Sequence, residues 1–288
     1  MPFPLFLSGV HSFCQILQRT VSRRSEAASF FLLRDLAPFF YNAIMSTGDL
    51  LGNVSIVLVH TKTPSNIGAV ARGMMNMGLS RLVLVRPPRD PDGEAEKLAA
   101  GAEAVIRNAG RFPSLREAVA DHHLVIGTSR RIARRRRNIH SPRDMAEQVL
   151  PLLAKNRVAI VFGREVNGLD RDDLSLCHEL IAIPSSDDFP SLNLSHAVMV
   201  VAYELFLAAR AGGRTAGQAL APAGEVERFF GQLELLLRDI GFLDETNAER
   251  MMFSLRQIFG RARLEPRDVS ILRGILTALA DRSRPEDA

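Results

Sequence analysis

The chain has 288 residues, 47% of them hydrophobic, which is more than one average domain needs and enough to bury a full core. Two cysteines, Cys14 and Cys177, at no metal-ligand spacing exclude a disulfide scaffold and a zinc cluster, and suit a reduced, cytoplasmic setting. The net charge is only +4, yet ten arginines face two acids between Val105 and Arg143, a basic patch that suits either a polyanionic partner or a solvated charged face.

No apolar run reaches the roughly 20 residues that span a bilayer, so no membrane helix is expected. Residues 1–50 mix Phe and Leu with Arg19, Arg23 and Arg24, lack a small-residue cleavage site, and contain a second methionine, Met45. This stretch is expected to be a disordered leader or an overcalled start, with a targeting peptide as the alternative.

From Asn53 the pattern is regular. Val54 to Val59 is a continuous β-branched and leucine run, as in a strand buried on both faces. Ile67 to Met77 carries apolar residues at helical spacing and stops at Gly78, a fitting C′ glycine. Strands follow at Leu82–Val85, Leu124–Gly127, Val158–Phe162 and Leu180–Ile183. Helices are expected over Glu94–Ile106, Ser114–Ala120, Ser141–Ala154, Asp170–Cys177 and Asn193–Ala209. Strands alternating with helices predict a parallel α/β sheet covered on both faces, with ligands held at the carboxyl ends of its strands.

The helix from Asn193 is apolar around most of its circumference, so it is expected to be enclosed by its own domain or by a second subunit. Ala211–Gly224, rich in Ala, Gly and Pro, reads as a linker. Beyond it lie three amphipathic helices: one striped from Val226 to Ile240 and closed by Gly241, one behind a Thr246/Glu249 capping box, and one opened by Pro266. The expected divisions are a leader (1–50), an α/β domain (51–211), a linker (212–224) and a helical extension (225–288).

No dinucleotide fingerprint, zinc-protease motif or nucleophile elbow is present, and Gly163–Gly168 has P-loop spacing without the Lys-Ser/Thr that must follow it. Three polar patches remain at strand ends. In Asn66-Ile-Gly-Ala-Val-Ala-Arg72 the amide of Asn66 can cap a helix, Gly68 permits close approach, and Arg72 projects from an otherwise apolar segment. In Gly163-Arg-Glu-Val-Asn-Gly168 two glycines bracket Glu165. In Ile183 to Ala197 a proline-bounded loop ends in Ser191-Leu192-Asn193 at a helix start. Each patch has an ordinary reading beside the functional one: an N-cap with a surface arginine, a βα turn, and a Ser/Asn-rich cap.

In this order, the three patches resemble the SpoU branch of the SPOUT RNA methyltransferases, whose motifs are N-x-G-x-x-x-R, G-x-E-x-x-G-[LI] and I-P-x6-S-L-N-[LV]-S-x-A. The resemblance covers about Asn53 to Arg210. The run Thr61–Met74 is most similar to the TrmJ group, and Phe229-Phe-Gly-Gln-Leu-Glu, Arg261-Ala-Arg and Ile271-Leu-Arg-Gly-Ile-Leu extend that similarity through the tail.

The resemblance implies a SPOUT-type parallel sheet with a C-terminal trefoil knot, a homodimer, and an S-adenosylmethionine-dependent transfer of methyl to a tRNA ribose 2′-hydroxyl, at pyrimidine 32 of the anticodon loop. Ribosomal RNA methylation and a non-catalytic RNA-binding scaffold are the alternatives. It places Arg72, Asn66, Glu165, Ser191 and Asn193 at the chemistry, Arg72 being contributed by the other subunit. It places Thr128, Ser129, Arg130, Gly163, Ile183, Pro190, Ser191 and Leu192 on the cofactor. The run Arg130, Arg131, Arg134, Arg135, Arg136 and Arg137 beside Thr128-Ser129 reads as an RNA phosphate contact or as a solvated charge run.

Overall fold

The computed structural model describes residues 50–88, 92–129, 139–211 and 217–283. The leader and the arginines 130–137 therefore lie outside the described residues. Seven strands form one sheet in the order β3-β2-β1-β6-β4-β7-β5. In chain order these are β1 (Val54–Val59), β2 (Arg81–Val85), β3 (Gly110–Phe112), β4 (Leu124–Thr128), β5 (Ile139–His140), β6 (Val158–Phe162) and β7 (Glu179–Ile181). All six pairings are parallel, with β1 and β6 in register from Val54↔Val158 to Leu58↔Phe162. The two central strands are buried along their whole length, as their unbroken apolar sequence requires.

The helices are α1 (Pro64–Asn76), α2 (Asp92–Ala99), α3 (Glu103–Arg107), α4 (Leu115–Val119), α5 (Pro142–Val149), α6 (Arg171–Ser175) and α7 (Leu194–Arg210), followed by α8 (Ala223–Asp239), α9 (Ala248–Gly260) and α10 (Pro266–Ser283). Helix α7 packs against α1 and α5. It buries Val198, Val201, Ala202 and Leu205 and leaves Val200, Tyr203 and Leu207 exposed on its outer side.

Several expectations are corrected. Helix α1 begins at Pro64 with Thr63 as N-cap, so Asn66 lies inside the first turn and does not cap it. Proline fixes φ at a helical value and needs no N–H partner at N1, which lets the helix start earlier. The long helix expected over 94–106 is two short ones, broken where Ala100 and Gly101 both take positive φ. Strands β3 and β5, three and two residues long, carry no apolar run that would announce them. The strand expected at Leu180–Ile183 runs from Glu179 to Ile181. Thr246 and Glu249 form no capping box: the carboxylate of Asp244 takes the N–H groups of Thr246 and Asn247 at 2.8 and 2.9 Å.

The tail helices enclose a second core around Phe229, Phe230 and Phe259, whose ring centroids lie 5.1 to 5.9 Å apart. This core is fixed to the sheet by an ion pair in which half-buried Arg263 donates to the buried carboxylate of Glu179 of β7 at 2.7 Å. The stretch 217–222 is packed: Leu220 and Ala221 are buried, and the side chain of Asn156 bonds both Gln218 O and Leu220 N–H at 2.8 Å.

Candidate active site

Strands β1 and β6 are neighbours, so the segments that leave their carboxyl ends are neighbours as well. After β6 the chain makes a tight turn, in which Arg164 N–H donates to Gly168 O at 3.2 Å and Gly168 N–H returns to Arg164 O at 2.9 Å. Gly168 has a φ of +69°, and a Cβ on Gly163 would lie 2.1 Å from the Gly168 carbonyl carbon. The turn itself therefore requires both glycines. Its product is a fixed position for Glu165.

Glu165 faces the segment after β1. Its Oε2 accepts from Lys62 N–H at 3.3 Å, and its Oε1 accepts from Thr63 N–H at 3.3 Å and from Asn66 Nδ2 at 3.2 Å. Burial would raise its pKa, but its own backbone N–H, the Asn66 amide and the two N–H groups of Lys62 and Thr63 outweigh burial and hold it below the ordinary value. The carboxylate thus stays charged and satisfies orphan N–H groups at the start of α1. Asn66 Oδ1 in turn accepts from Asn193 Nδ2 at 3.2 Å. Asn193 caps α7 through Oδ1, which takes Ser195 N–H at 2.8 Å and Ser195 Oγ–H at 2.7 Å. One polar chain, Glu165–Asn66–Asn193–Ser195, joins all three patches found in the sequence.

A second cluster braces the Glu165 turn from the side. Arg164 Nε donates to His60 Nδ1 at 2.8 Å and its terminal nitrogen to Asp170 Oδ2 at 3.1 Å. Arg86 approaches His60 Nε2 at 3.2 Å and donates to Pro113 O at 2.6 Å. His60 and Arg86 both have positive φ, 54° and 48°, a conformation that costs free energy in any residue with a Cβ and collects at working sites. Desolvation and the two guanidiniums lower the pKa of His60, which keeps the ring neutral between them. Sequence reasoning missed this cluster, because single His and Arg residues at strand ends carry no spacing signal.

Arg72 lies two turns along α1 from Pro64, exposed, and its side chain makes no hydrogen bond, ion pair or ring contact among the described residues. Ser191 is likewise exposed and outside the polar chain. Gly68 serves packing: a Cβ there would lie 2.2 Å from Ala95 O, so this glycine lets α1 and α2 touch.

The segments after β4 and β7 frame the remaining positions. Thr128 Oγ–H donates to Val161 O at 3.0 Å, and Ser129 N–H donates to Ile181 O at 2.9 Å. Ser185 Oγ–H closes the β7 loop onto Pro190 O at 3.1 Å. The backbone groups of Ile183, Ser191 and Leu192 have no hydrogen-bond partner among the described residues. Polar backbone groups left open beside a fixed turn fit a small polar ligand held mainly by main chain. Arg130 and the other loop arginines, 131 and 134–137, are outside the described residues.

Residues 53–203 match the model of the SpoU rRNA Methylase family, and residues 224–288 match that of the tRNA methyltransferase TrmJ C-terminal domain. The chain is 41% identical over 241 residues to the tRNA (cytidine/uridine-2′-O-)-methyltransferase TrmJ of Salmonella typhimurium, covering 82% of this chain and 99% of that one. The corresponding TrmJ of Escherichia coli O6:K15:H31 is 40% identical, covering 83% and 100%. Among solved structures, TrmJ from Z. mobilis ZM4 superposes with a TM-score of 0.69 at 33% identity, covering 78% of this chain and 98% of that one. A probable methylase family protein from Haemophilus influenzae Rd KW20 gives 0.54 at 38% identity, covering 81% and 97%.

Proposed function

Because this chain belongs to the SpoU rRNA Methylase family, we propose that it transfers a methyl group from S-adenosylmethionine to the ribose 2′-hydroxyl of tRNA, at cytidine or uridine 32 of the anticodon loop. The observation that carries the reading is the Glu165–Asn66–Asn193 chain, which ties the three motif loops into one rigid junction at the carboxyl end of the sheet. The tRNA target is supported by the relatives named above and by the match of the tail to the TrmJ C-terminal domain.

Thr128, Ser129, Gly163, Ile183, Pro190, Ser191 and Leu192 would hold the methyl donor, with Arg130 beside them, chiefly through main-chain groups. The donor supplies an electrophilic sulfonium methyl. The protein's part is to align the 2′-oxygen with that methyl, and positioning of this kind supplies a large share of a rate enhancement. Asn66, Glu165 and Asn193 fix the floor of the site, and Ser191 stands at its edge. Arg72 clamps the phosphate next to the reacting ribose. A guanidinium holds its proton firmly and is a poor base, so the hydroxyl proton leaves to that phosphate or to water.

In this reading the enzyme works as a cytoplasmic homodimer. Arg72 enters the partner's site, and the exposed outer face of α7 lies in the interface. Residues 130, 131 and 134–137 contact RNA phosphates. Residues 51–211 are the methyltransferase domain, threaded as a trefoil knot, and 212–224 and 225–288 are its connector and helical extension. The knot is supported by strand order: β7 fills the position between β4 and β5 that the chain had earlier passed over. The test is methyl transfer from labelled donor to bulk tRNA, followed by mapping of the modified nucleotide. A mark outside the anticodon loop overturns the position and leaves the reaction class standing. Transfer to ribosomal RNA alone overturns the substrate.

A further inference from the structure

Among the described residues, the two most exposed large apolar side chains are Phe189 and Val166, at 79% and 76% exposure. They stand on the two loops that the Glu165–Asn66–Asn193 junction brings together: Val166 directly follows Glu165, and Phe189 precedes Asn193 by four residues. Single exposed aliphatics are common on protein surfaces, but a phenylalanine displayed in full on a polar loop at an active site leaves a large face in water without return.

The loop that carries Phe189 is built to hold it there. Pro184 and Pro190 bracket it, Ser185 Oγ–H bonds Pro190 O at 3.1 Å, Phe189 N–H bonds Ser186 O at 3.3 Å, and Asp188 N–H bonds Ser186 Oγ at 3.3 Å. No ring contact ties Phe189 to another described residue. Asp187 and Asp188 immediately precede it, and their charges repel a phosphate from this tip. The same chain's cation at the junction, Lys62, lies on the other wall, on the segment that runs from β1 into α1, and in the reading above the other subunit adds Arg72. The division of labour is that of a nucleotide: an anionic backbone on one wall, and a planar apolar face on the other.

We propose that Phe189, with Val166 on the adjoining loop, is a stacking platform for an unpaired nucleobase of the RNA substrate. This rests on the methyl-transfer reading above and deepens it. A base lifted out of its stack loses contact with its neighbours, and an aromatic face replaces that contact without demanding a particular sequence. The platform selects single-stranded loops over duplex, in which both faces of every interior base are already covered.

The chain contains no tryptophan, so Phe189→Trp places the sole indole of the full-length protein at the proposed contact. Titration with a tRNA transcript or with single-stranded oligouridine is expected to quench its emission saturably, and a blunt RNA duplex is expected to leave it unchanged. Quenching by S-adenosylhomocysteine alone would assign the ring to the cofactor and overturn the proposal. An emission maximum that shifts as the RNA-free protein is diluted would assign it to contact between copies, with the same consequence. In steady-state assays Phe189→Ala should raise KM for tRNA about 5- to 150-fold, the range for loss of one stacked base, while KM for the methyl donor stays at the wild-type value. Phe189→Tyr should restore tRNA KM. An unchanged tRNA KM in Phe189→Ala refutes the platform while methyl transfer stands. A wild-type protein inactive on every RNA refutes the reading beneath it.

Discussion

Arg72 and Glu165 represent opposite ways of being poised. Glu165 is satisfied four-square by N–H groups and the Asn66 amide, whereas Arg72 is exposed and engages no other described residue. Replacing Arg72 by Ala should therefore leave folding and methyl-donor affinity at wild-type values and remove methyl transfer, a result that calorimetry and a filter assay can separate. Full activity in that variant refutes its role. Glu165→Gln keeps the shape but loses an acceptor oxygen, and should lower kcat about 10- to 100-fold through misplacement of the loops. The sign of its pH dependence follows from a folded-state pKa that lies below the unfolded value. The stabilisation from Glu165 is fully present above the unfolded carboxylate pKa of about 4.3 and is lost as pH falls through the lower folded value. Thermal melts of wild type and Glu165→Gln should thus differ by a constant amount from neutrality down to about pH 5 and converge in stronger acid.

At the scale of elements, contacts fix what composition left open. Gly68 looks in the sequence like a glycine that admits a ligand, but the atom it admits is Ala95 O of the neighbouring helix. Gly68→Ala should push α1 from α2 and cost about 1–3 kcal/mol, read as a lower urea midpoint at unchanged slope. The tail meets the sheet through Arg263 and Glu179, the latter 7% exposed at its side chain. Arg263→Ala leaves that carboxylate, among the described residues, with only His140 at 3.4 Å and should cost about 3 kcal/mol, whereas the double variant with Glu179→Gln should recover most of the loss. The strongly patterned elements were legible from sequence: β1, β6, α7 and the three tail helices announce themselves by unbroken or 3.6-periodic apolar residues. Two kinds of feature were not. Strands of two or three residues have too few positions to show a period, and helix starts were misjudged where Pro64 and Asp244 offered better local chemistry than Asn66 and Thr246.

For the whole molecule, the outer face of α7 bears directly on the proposed assembly. Val200, Tyr203 and Leu207 are 37%, 47% and 38% exposed on a helix whose other side is sealed in the core. Tyr203→Glu should place a charge in the interface, give a monomer in sedimentation, and abolish turnover while leaving the melting curve of the protomer intact. A fully active dimer of that variant would rule out this face. The sequence showed the three polar patches that the structure brings together, because motif residues survive as a linear pattern. It did not show that Asn66 and Asn193, 127 positions apart, bond to each other, since that contact exists only once β7 has taken its place in the sheet.

That seat has a consequence for how the protein comes into being. Strand β7 lies between β4 and β5, both made before it, and the loops after β4 and β7 are fastened by bonds such as Ser129 N–H to Ile181 O and Ala182 N–H to His140 O. A chain still waiting to insert β7 has neither loop in position and lacks the anchor on which Arg263 closes the tail. Completion of the proposed site should thereby follow the seating of β7 rather than precede it. Regain of methyl-donor binding after dilution from denaturant should accordingly trail the recovery of helical signal, and no partly folded chain should compete for the donor during synthesis.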